Sequence, residues 1–159
     1  MTLRSIDMPH ELLEELQTMI DREIPICSKM GIRVESLDER GLSMSAPLEL
    51  NRNHQLTGFA GSLCALCTVT GWGMVFLVAQ QHGLAADVII RRSGIKYLLP
   101  VDSQQIVATC TGVADGERTH FVEMFREKGQ AKLDLRAEIQ CGGQTAVSFH
   151  GSYVLLGKQ

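Results

Sequence analysis

The sequence has only one long apolar run, between Gly58 and Ala79. It has no low-complexity segment and no internal repeat, so neither a repeat array nor a flexible linker is expected. It has no excess of positive charge. Fifteen Lys and Arg against eighteen Asp and Glu leave a net charge of −3, which argues against a general nucleic-acid or anionic-membrane binder. No secretory segment is expected, because the N-terminus reads as acidic and amphipathic. The five cysteines, Cys27, Cys64, Cys67, Cys110 and Cys141, are odd in number. Reduced, mostly buried thiols in a cytoplasmic protein are expected. Cys64-x-x-Cys67 has no second pair and lies in the apolar run, so it is read as core packing, with no metal and no cofactor implied. The last absence concerns chemistry: no Asp or Glu stands between Gly61 and Gln81. A chain of 159 residues with 15 Gly and 4 Pro fits one domain, residues 1–159.

What is present is organised around Asn51 to Ala79. The stretch begins polar at Asn51, Asn53, His54 and Gln55, turns through Thr57, Gly58 and Gly61, and then stays uncharged for more than twenty residues. Such a run is long enough to cross a membrane. Its internal Ser, Thr and Gly, and the lack of a flanking Lys/Arg cluster, favour a buried helix instead. Its N-terminus would present unpaired N–H groups and positive dipole, which suits an anion or a developing oxyanion. Gly71 and Gly73 would let another backbone come close, and Trp72 is expected to be buried with Leu66, Val69, Met74 and Val75.

Along the rest of the chain, Pro9 to Ile24 carries Leu12, Leu13, Leu16, Met19 and Ile20 at helical spacing, with Pro25 as its stop. Gly31–Leu37 and Leu42–Leu48 read as a hairpin ended by Pro47. Asp87–Val101 is β-rich, with a bulge expected at Gly94. Ile106–Val113 is a further strand, and residues 114–129 suggest a turn followed by a short helical turn or flap. Ala131–Gln140 alternates strictly, and Gly142-Gly143 turns into a last strand, Thr145–Leu156. A helix apolar all round, with consecutive antiparallel hairpins, predicts an α+β hot-dog fold. In it a curved antiparallel sheet wraps one long helix, preceded by an amphipathic helix.

Three groups of residues carry a resemblance. They are Asn51, Asn53, Thr57, Phe59, Gly61, Ser62 and Leu63; then Thr70-Gly71-Trp72-Gly73; then Ile95, Tyr97, Leu98, Pro100 and Val101. In these the chain resembles the hot-dog thioesterase family of the YiiD C-terminal domain, from about residue 10 to the end. Some members of that family are malonyl-acyl-carrier-protein decarboxylases. The resemblance implies an acyl-CoA or acyl-ACP substrate, an acyl carrier protein as partner, and a homodimer or dimer of dimers with sites at the subunit interface. It also implies a stand-alone member without an acetyltransferase domain. Asn53 matches the catalytic-loop asparagine and Asn51 its neighbour. Thr57, Phe59, Gly61, Ser62 and Tyr97 fall at substrate-binding positions, while His54 falls at a variable one.

Many hot-dog thioesterases place a carboxylate on the central helix, about where Thr68 stands here. Threonine is no base near neutral pH. A hydrolase would need an acid from the partner subunit or a water held by Asn53 and Thr68, with Asp87, Asp102 and Glu123 as candidates for a displaced acid. Decarboxylation of a malonyl thioester needs no base, only donors on the thioester oxygen as the enolate forms. The alternatives to an acyl-thioester enzyme are a non-catalytic acyl-CoA or acyl-ACP binding module and, for Asn51 and Asn53, plain loop capping. Arg91, Arg92, Lys96, Arg126 and Lys128 are candidates to meet a pantetheine phosphate, a CoA nucleotide or an acidic carrier protein.

Overall fold

The computed structural model describes residues 10–158; Pro9 lies outside them. The leucine and isoleucine spacing forms α1 (His10–Glu23), which buries Leu16 and Ile20. Pro25 opens a helix rather than only closing one: α2 (Pro25–Met30) takes it at its first position, where the missing N–H costs nothing. The hairpin follows as β1 (Arg33–Asp38) and β2 (Gly41–Pro47), and the strand does stop at Pro47. One turn of helix, α3 (Leu48–Asn51), was not legible as such in the sequence. The apolar run becomes α4 (Ala60–Gln81), 22 residues long.

After α4 come β3 (Ala86–Tyr97), β4 (Gln105–Cys110), α5 (Asp115–Lys128), β5 (Gln130–Cys141) and β6 (Gln144–Gly157). The expected turn or flap at 114–129 is thus a 14-residue helix, α5. Gly116 and a sparse apolar pattern hid it; tertiary burial of Phe121 and Val122 holds it. The β5–β6 turn has Gly142 at φ 60° and Gly143 at φ 76°, the left-handed pair that a two-residue hairpin needs.

The six strands make one antiparallel sheet in the order β1-β2-β4-β5-β6-β3. It curls around α4, which touches β2, β3, β4, β5 and β6. This is the hot-dog fold. The helix passes the length and hydropathy test for a membrane span, yet 72% of that window is buried inside the protein, so the sheet is its apolar surrounding. The register shift in β3 falls between Ile90 and Arg92, not at Gly94. Gly94 instead makes room for the His150 ring across the ladder, whose Cε1 would lie 2.3 Å from an added Cβ.

Gly71 and Gly73 admit side chains rather than a backbone. A Cβ on Gly71 would lie 2.2 Å from the Tyr153 hydroxyl, and one on Gly73 2.5 Å from Met44 Cε. Tyr153 is fully buried and donates its hydroxyl to the Thr68 carbonyl at 2.7 Å. Burial first, and the Trp72 backbone N–H acting against it, set the balance that leaves the phenol pKa raised. The hydroxyl therefore sits between Thr68 and Trp72, at the helix position where Gly71 leaves a notch.

Trp72 corrects another expectation. It is half-buried, packed at the edge of the core, stacked on Phe76 with ring centroids 5.5 Å apart, and its Nε1 donates to the Val88 carbonyl at 3.2 Å. Helical periodicity cannot tell which face of an all-apolar helix the sheet leaves open. Trp72→Ala should accordingly cost about 1–3 kcal/mol, less than loss of a fully enclosed ring. Calorimetry checks this through a melting point lowered by about 2–4 °C per kcal/mol.

Candidate active site at the entrance of the central helix

The loop from Asn51 to Phe59 is closed by its own backbone. Phe59 N–H donates to the Asn51 carbonyl at 2.7 Å, and Arg52 bridges Gly58. Gly58 N–H donates to the Val101 carbonyl at 2.7 Å, tying the loop to the segment after β3. The loop therefore delivers the chain into α4 at a fixed angle.

Asn53 is the hub of this loop. Its Oδ1 accepts the Gln55 N–H at 2.8 Å and the Thr57 N–H at 3.2 Å, and its Nδ2 donates to Thr57 Oγ1 at 3.0 Å. The backbone adds Asn53 N–H to the Thr57 carbonyl at 2.7 Å. An Asn amide carries two N–H groups, and among the described residues only one of them is engaged. The tip residue Leu56 takes φ 64°, which the tight turn requires.

Asn51 is placed differently. It is 2% exposed, and its Nδ2 donates to both the Met30 and Pro47 carbonyls at 2.8 Å. Both donors are spent on backbone, and its Oδ1 is buried without a partner among the described residues. It locks α3 to α2 and β2; the structure gives it a framework role in place of the expected catalytic one. Thr68 is separated too. Its hydroxyl donates to the Cys64 carbonyl at 2.8 Å, and helix rise puts it about 10 Å along the axis from Gly61. No contact joins Thr68 to Asn53 among the described residues, so a water shared by the two is not built into this chain alone.

The end of α4 is uncapped. Phe59 is the N-cap with no side-chain cap bond, and no acidic residue lies in the first turn. The first bond of the helix is Leu63 N–H to the Phe59 carbonyl at 3.0 Å, which leaves the N–H groups of Ala60, Gly61 and Ser62 at the open end. Gly61 is needed there because the Phe59 ring lies against it, with Cε1 2.6 Å from an added Cβ. Tyr97, at the end of β3, donates its hydroxyl to the Ala60 carbonyl at 3.2 Å; desolvation of that hydroxyl raises its pKa. Thus Asn53 bonds Thr57 within the loop, Phe59 packs on Gly61 and Tyr97 bonds Ala60 at the helix entrance, while the Asn51 and Thr68 side chains are engaged elsewhere.

The rim of this place is apolar and open. Leu56, Phe59, Tyr97, Leu98 and Leu99 are all between 39% and 61% exposed. Two clefts, about 480 and 400 Å³, lie elsewhere, one at the C-terminal end of α4 and one between α1 and β1. Among the described residues no cluster of His, Cys, Asp and Glu could hold a metal ion.

Two residues are given places that the sequence did not give them. Asp102, one of the acids the sequence offered, follows Val101, whose carbonyl the loop holds through Gly58, so the fold brings its backbone near the Asn53 loop. It accepts a bond from the Cys141 thiol at 3.2 Å. Cys64 lies half-buried on α4 between Gly61 and Thr68, while Cys67 and Cys110 are buried, their pKa pushed up to about 12 chiefly by desolvation. The sequence pattern placed the cysteines mostly in the core but could not show that Cys64 is left half-buried.

Comparison with known proteins gives a consistent picture. The family described as "Putative thioesterase (yiiD_Cterm)" matches residues 13–157. A crystal structure of a protein of unknown function from Chlorobaculum tepidum TLS is similar at 31% identity and TM-score 0.91, covering 95% of this chain and 98% of that one. The "putative thioesterase" of Shewanella oneidensis is similar at 33% identity and TM-score 0.84, covering 92% of this chain and 98% of that one. A thioesterase from Haemophilus influenzae, at 14% identity and TM-score 0.69 over 91% of this chain and 90% of that one, shares the fold.

Proposed function

The chain belongs to the YiiD C-terminal thioesterase family, and from that premise we propose that it is an enzyme that decarboxylates a malonyl thioester. The observation that carries the reading is an uncapped α4 N-terminus entered through the Asn53 loop, on a helix with no carboxylate anywhere along it. In the proposed step the bond between the malonyl α-carbon and its carboxylate breaks and carbon dioxide leaves. The electron pair passes to the thioester oxygen as an enolate. The free Asn53 N–H and the Gly61 and Ser62 N–H groups stabilise that charge, and the α-carbon then takes a proton from water to give an acetyl thioester. Nothing in this sequence of events needs a base, and its main requirement is donors aimed at the developing charge.

A second reading has its own support. Asp102 follows the residue that anchors the loop, and its exposed carboxylate would serve as base for a water attacking the same carbonyl, which would make the reaction hydrolysis. Incubating purified protein with malonyl-carrier protein separates the readings. Carbon dioxide with acetyl-carrier protein supports decarboxylation. Free carrier thiol supports hydrolysis, and binding without turnover supports a non-catalytic module.

The proposal includes assembly. β3 ends the sheet with an unpaired edge of 12 residues, and Ile89 and Ile90 on it are 45% and 36% exposed. Such an edge is an aggregation hazard unless covered, and a second copy would cover it and wall the open rim. A homodimer or dimer of dimers is expected at micromolar concentration in analytical ultracentrifugation; a monomer would rule this out. Free thiols at all five cysteines fit a reducing, cytoplasmic setting for this reading.

A further inference from the structure

The convex face of the sheet, opposite α4, is charged, and its charge has the sign opposite to that of the chain. Strand registers lay it out in rows. Arg92, Ser152 and Asp134 form one row; Gly94, His150 and Arg136 the next; Lys96, Ser148 and Glu138 the third. Lys132 lies on the same face of β5, two residues before Asp134, and β5 alternates exposed and buried positions without a break. On β3, β5 and β6 the face thus carries four permanent cations, Arg92, Lys96, Lys132 and Arg136, with His150 among them, against three carboxylates, Asp87, Asp134 and Glu138.

Two of those carboxylates are already in ion pairs, Asp87 with Lys158 at 4.0 Å and Asp134 with Lys132. Asp134 accepts the Ser152 hydroxyl at 2.6 Å and pairs with Lys132 at 3.4 Å. The Ser152 bond first, then Lys132 and Arg92, hold its pKa below the usual carboxylate range. Glu138 accepts a bond from Gln140 at 3.3 Å. Among the described residues, Arg92, Lys96 and Arg136 enter no ion pair. All three are exposed. A net positive face on a chain of net charge −3 means that the acidic residues are concentrated elsewhere.

The spread of these cations suits one kind of partner. Arg92 and Lys96 on β3 are about 13 Å apart along the strand, and Arg136 lies two strands away, about 10 Å across the sheet. That is too broad for a single phosphate and matches carboxylates spaced along an acidic helix. The strip also ends at the site, because Lys96 immediately precedes Tyr97, whose hydroxyl bonds Ala60 at the entrance of α4. A partner seated on the strip could pass a thioester on a long flexible arm around the end of β3 to Asn53.

We propose that this face docks an acidic acyl-carrier domain, through Arg92, Lys96 and Arg136, and so selects carrier-linked over CoA-linked thioesters; this rests on the thioester reading of the site. The experiment uses the triple variant Arg92→Glu/Lys96→Glu/Arg136→Glu, a milder Arg92→Gln/Lys96→Gln/Arg136→Gln triple as a check on folding, and two substrates. These are malonyl-carrier protein and malonyl-N-acetylcysteamine, which carries the same acyl group and no charged carrier. The expected result is a KM for the carrier substrate raised at least about tenfold by charge reversal and less by the Gln triple, while kcat/KM for the small thioester stays unchanged. Raised salt should reduce the wild type's advantage on the carrier substrate alone.

An unchanged KM for the carrier substrate overturns the docking proposal, as does an equal loss on both substrates. Activity of the wild type on the small thioester but not on the carrier also overturns it. If the wild type turns over neither, the reading of the site fails instead. Carrier binding to wild type and charge-reversed triple by surface plasmon resonance then still decides docking, with equal affinities counting against it.

Discussion

Asn53→Ala lowers the turnover of a malonyl thioester by about two orders of magnitude or more, with little change in substrate affinity. The size follows from what is removed. An amide N–H aimed at the thioester oxygen is worth most when the enolate charge has formed, so its loss acts on the transition state and leaves the ground state largely alone. Asn53 has a second duty, since its Oδ1 holds the Gln55 and Thr57 N–H groups and so the shape of the loop. Alanine removes both duties, and the loss on this variant is an upper limit for the donor alone. His54→Ala is the paired control. The imidazole is exposed on the same loop, and neither proposed mechanism uses it. Steady-state kinetics on both variants, after circular dichroism, should show a large loss for the first and a small one for the second.

Tyr153→Ala has the largest expected effect on stability, about 3–5 kcal/mol, because the ring is fully enclosed between β6 and α4. The hydroxyl contributes separately through its bond to the Thr68 carbonyl, so Tyr153→Phe should cost about 1 kcal/mol. Gly71→Ala approaches the same contact from the other side. Its new methyl would meet the hydroxyl at 2.2 Å, and overpacking of this sort costs about 1–3 kcal/mol. If the hydroxyl is the clash, Gly71→Ala should cost less in the Tyr153→Phe background than alone. Urea denaturation of the four proteins gives the coupling directly, and purely additive costs would mean that the ring and the notch are independent.

Much of this fold is written in periodicity. Residues 131–140 alternate without exception, and the alternation of burial in β5 follows from it. The uncharged run from Gly58 could only be a helix with apolar surroundings, and a sheet curled around it is the way one chain supplies them. What stayed hidden was decided by tertiary contact. The helix α5 has a glycine near its start and few apolar residues, and its reason to exist is the pocket that takes Phe121 and Val122. Trp72 could not be placed because an all-apolar helix has no polar face to mark its open side.

The site was partly legible for a similar reason. Asn, Thr and Gly ahead of an apolar run signal a structured loop and an uncapped helix end, and both are present. Which asparagine keeps an unengaged N–H was not legible. Asn51 and Asn53 are two residues apart and alike in sequence, yet one spends its amide on Met30 and Pro47 while the other keeps an N–H free. Only the packing of α2 and β2 against α3 makes that difference. Asp102 lies about fifty positions from Asn53 in the chain, so the sequence offered it only as one acid among three, and the bond between Gly58 and Val101 is what brings its backbone near the loop.

The central claim is that Asn53 acts as a donor and not merely as the hub of its loop, and Asn53→Asp tests it most directly. The carboxylate keeps an oxygen where Oδ1 stands, so the Gln55 and Thr57 N–H groups keep their acceptor and the loop its shape. The second oxygen replaces Nδ2, can donate nothing, and repels an enolate. The expected result is a melting temperature close to that of the wild type together with a fall in kcat on malonyl thioester of about a hundredfold or more. A stable Asn53→Asp protein with near wild-type kcat would contradict the donor role and leave Asn53 as scaffolding alone.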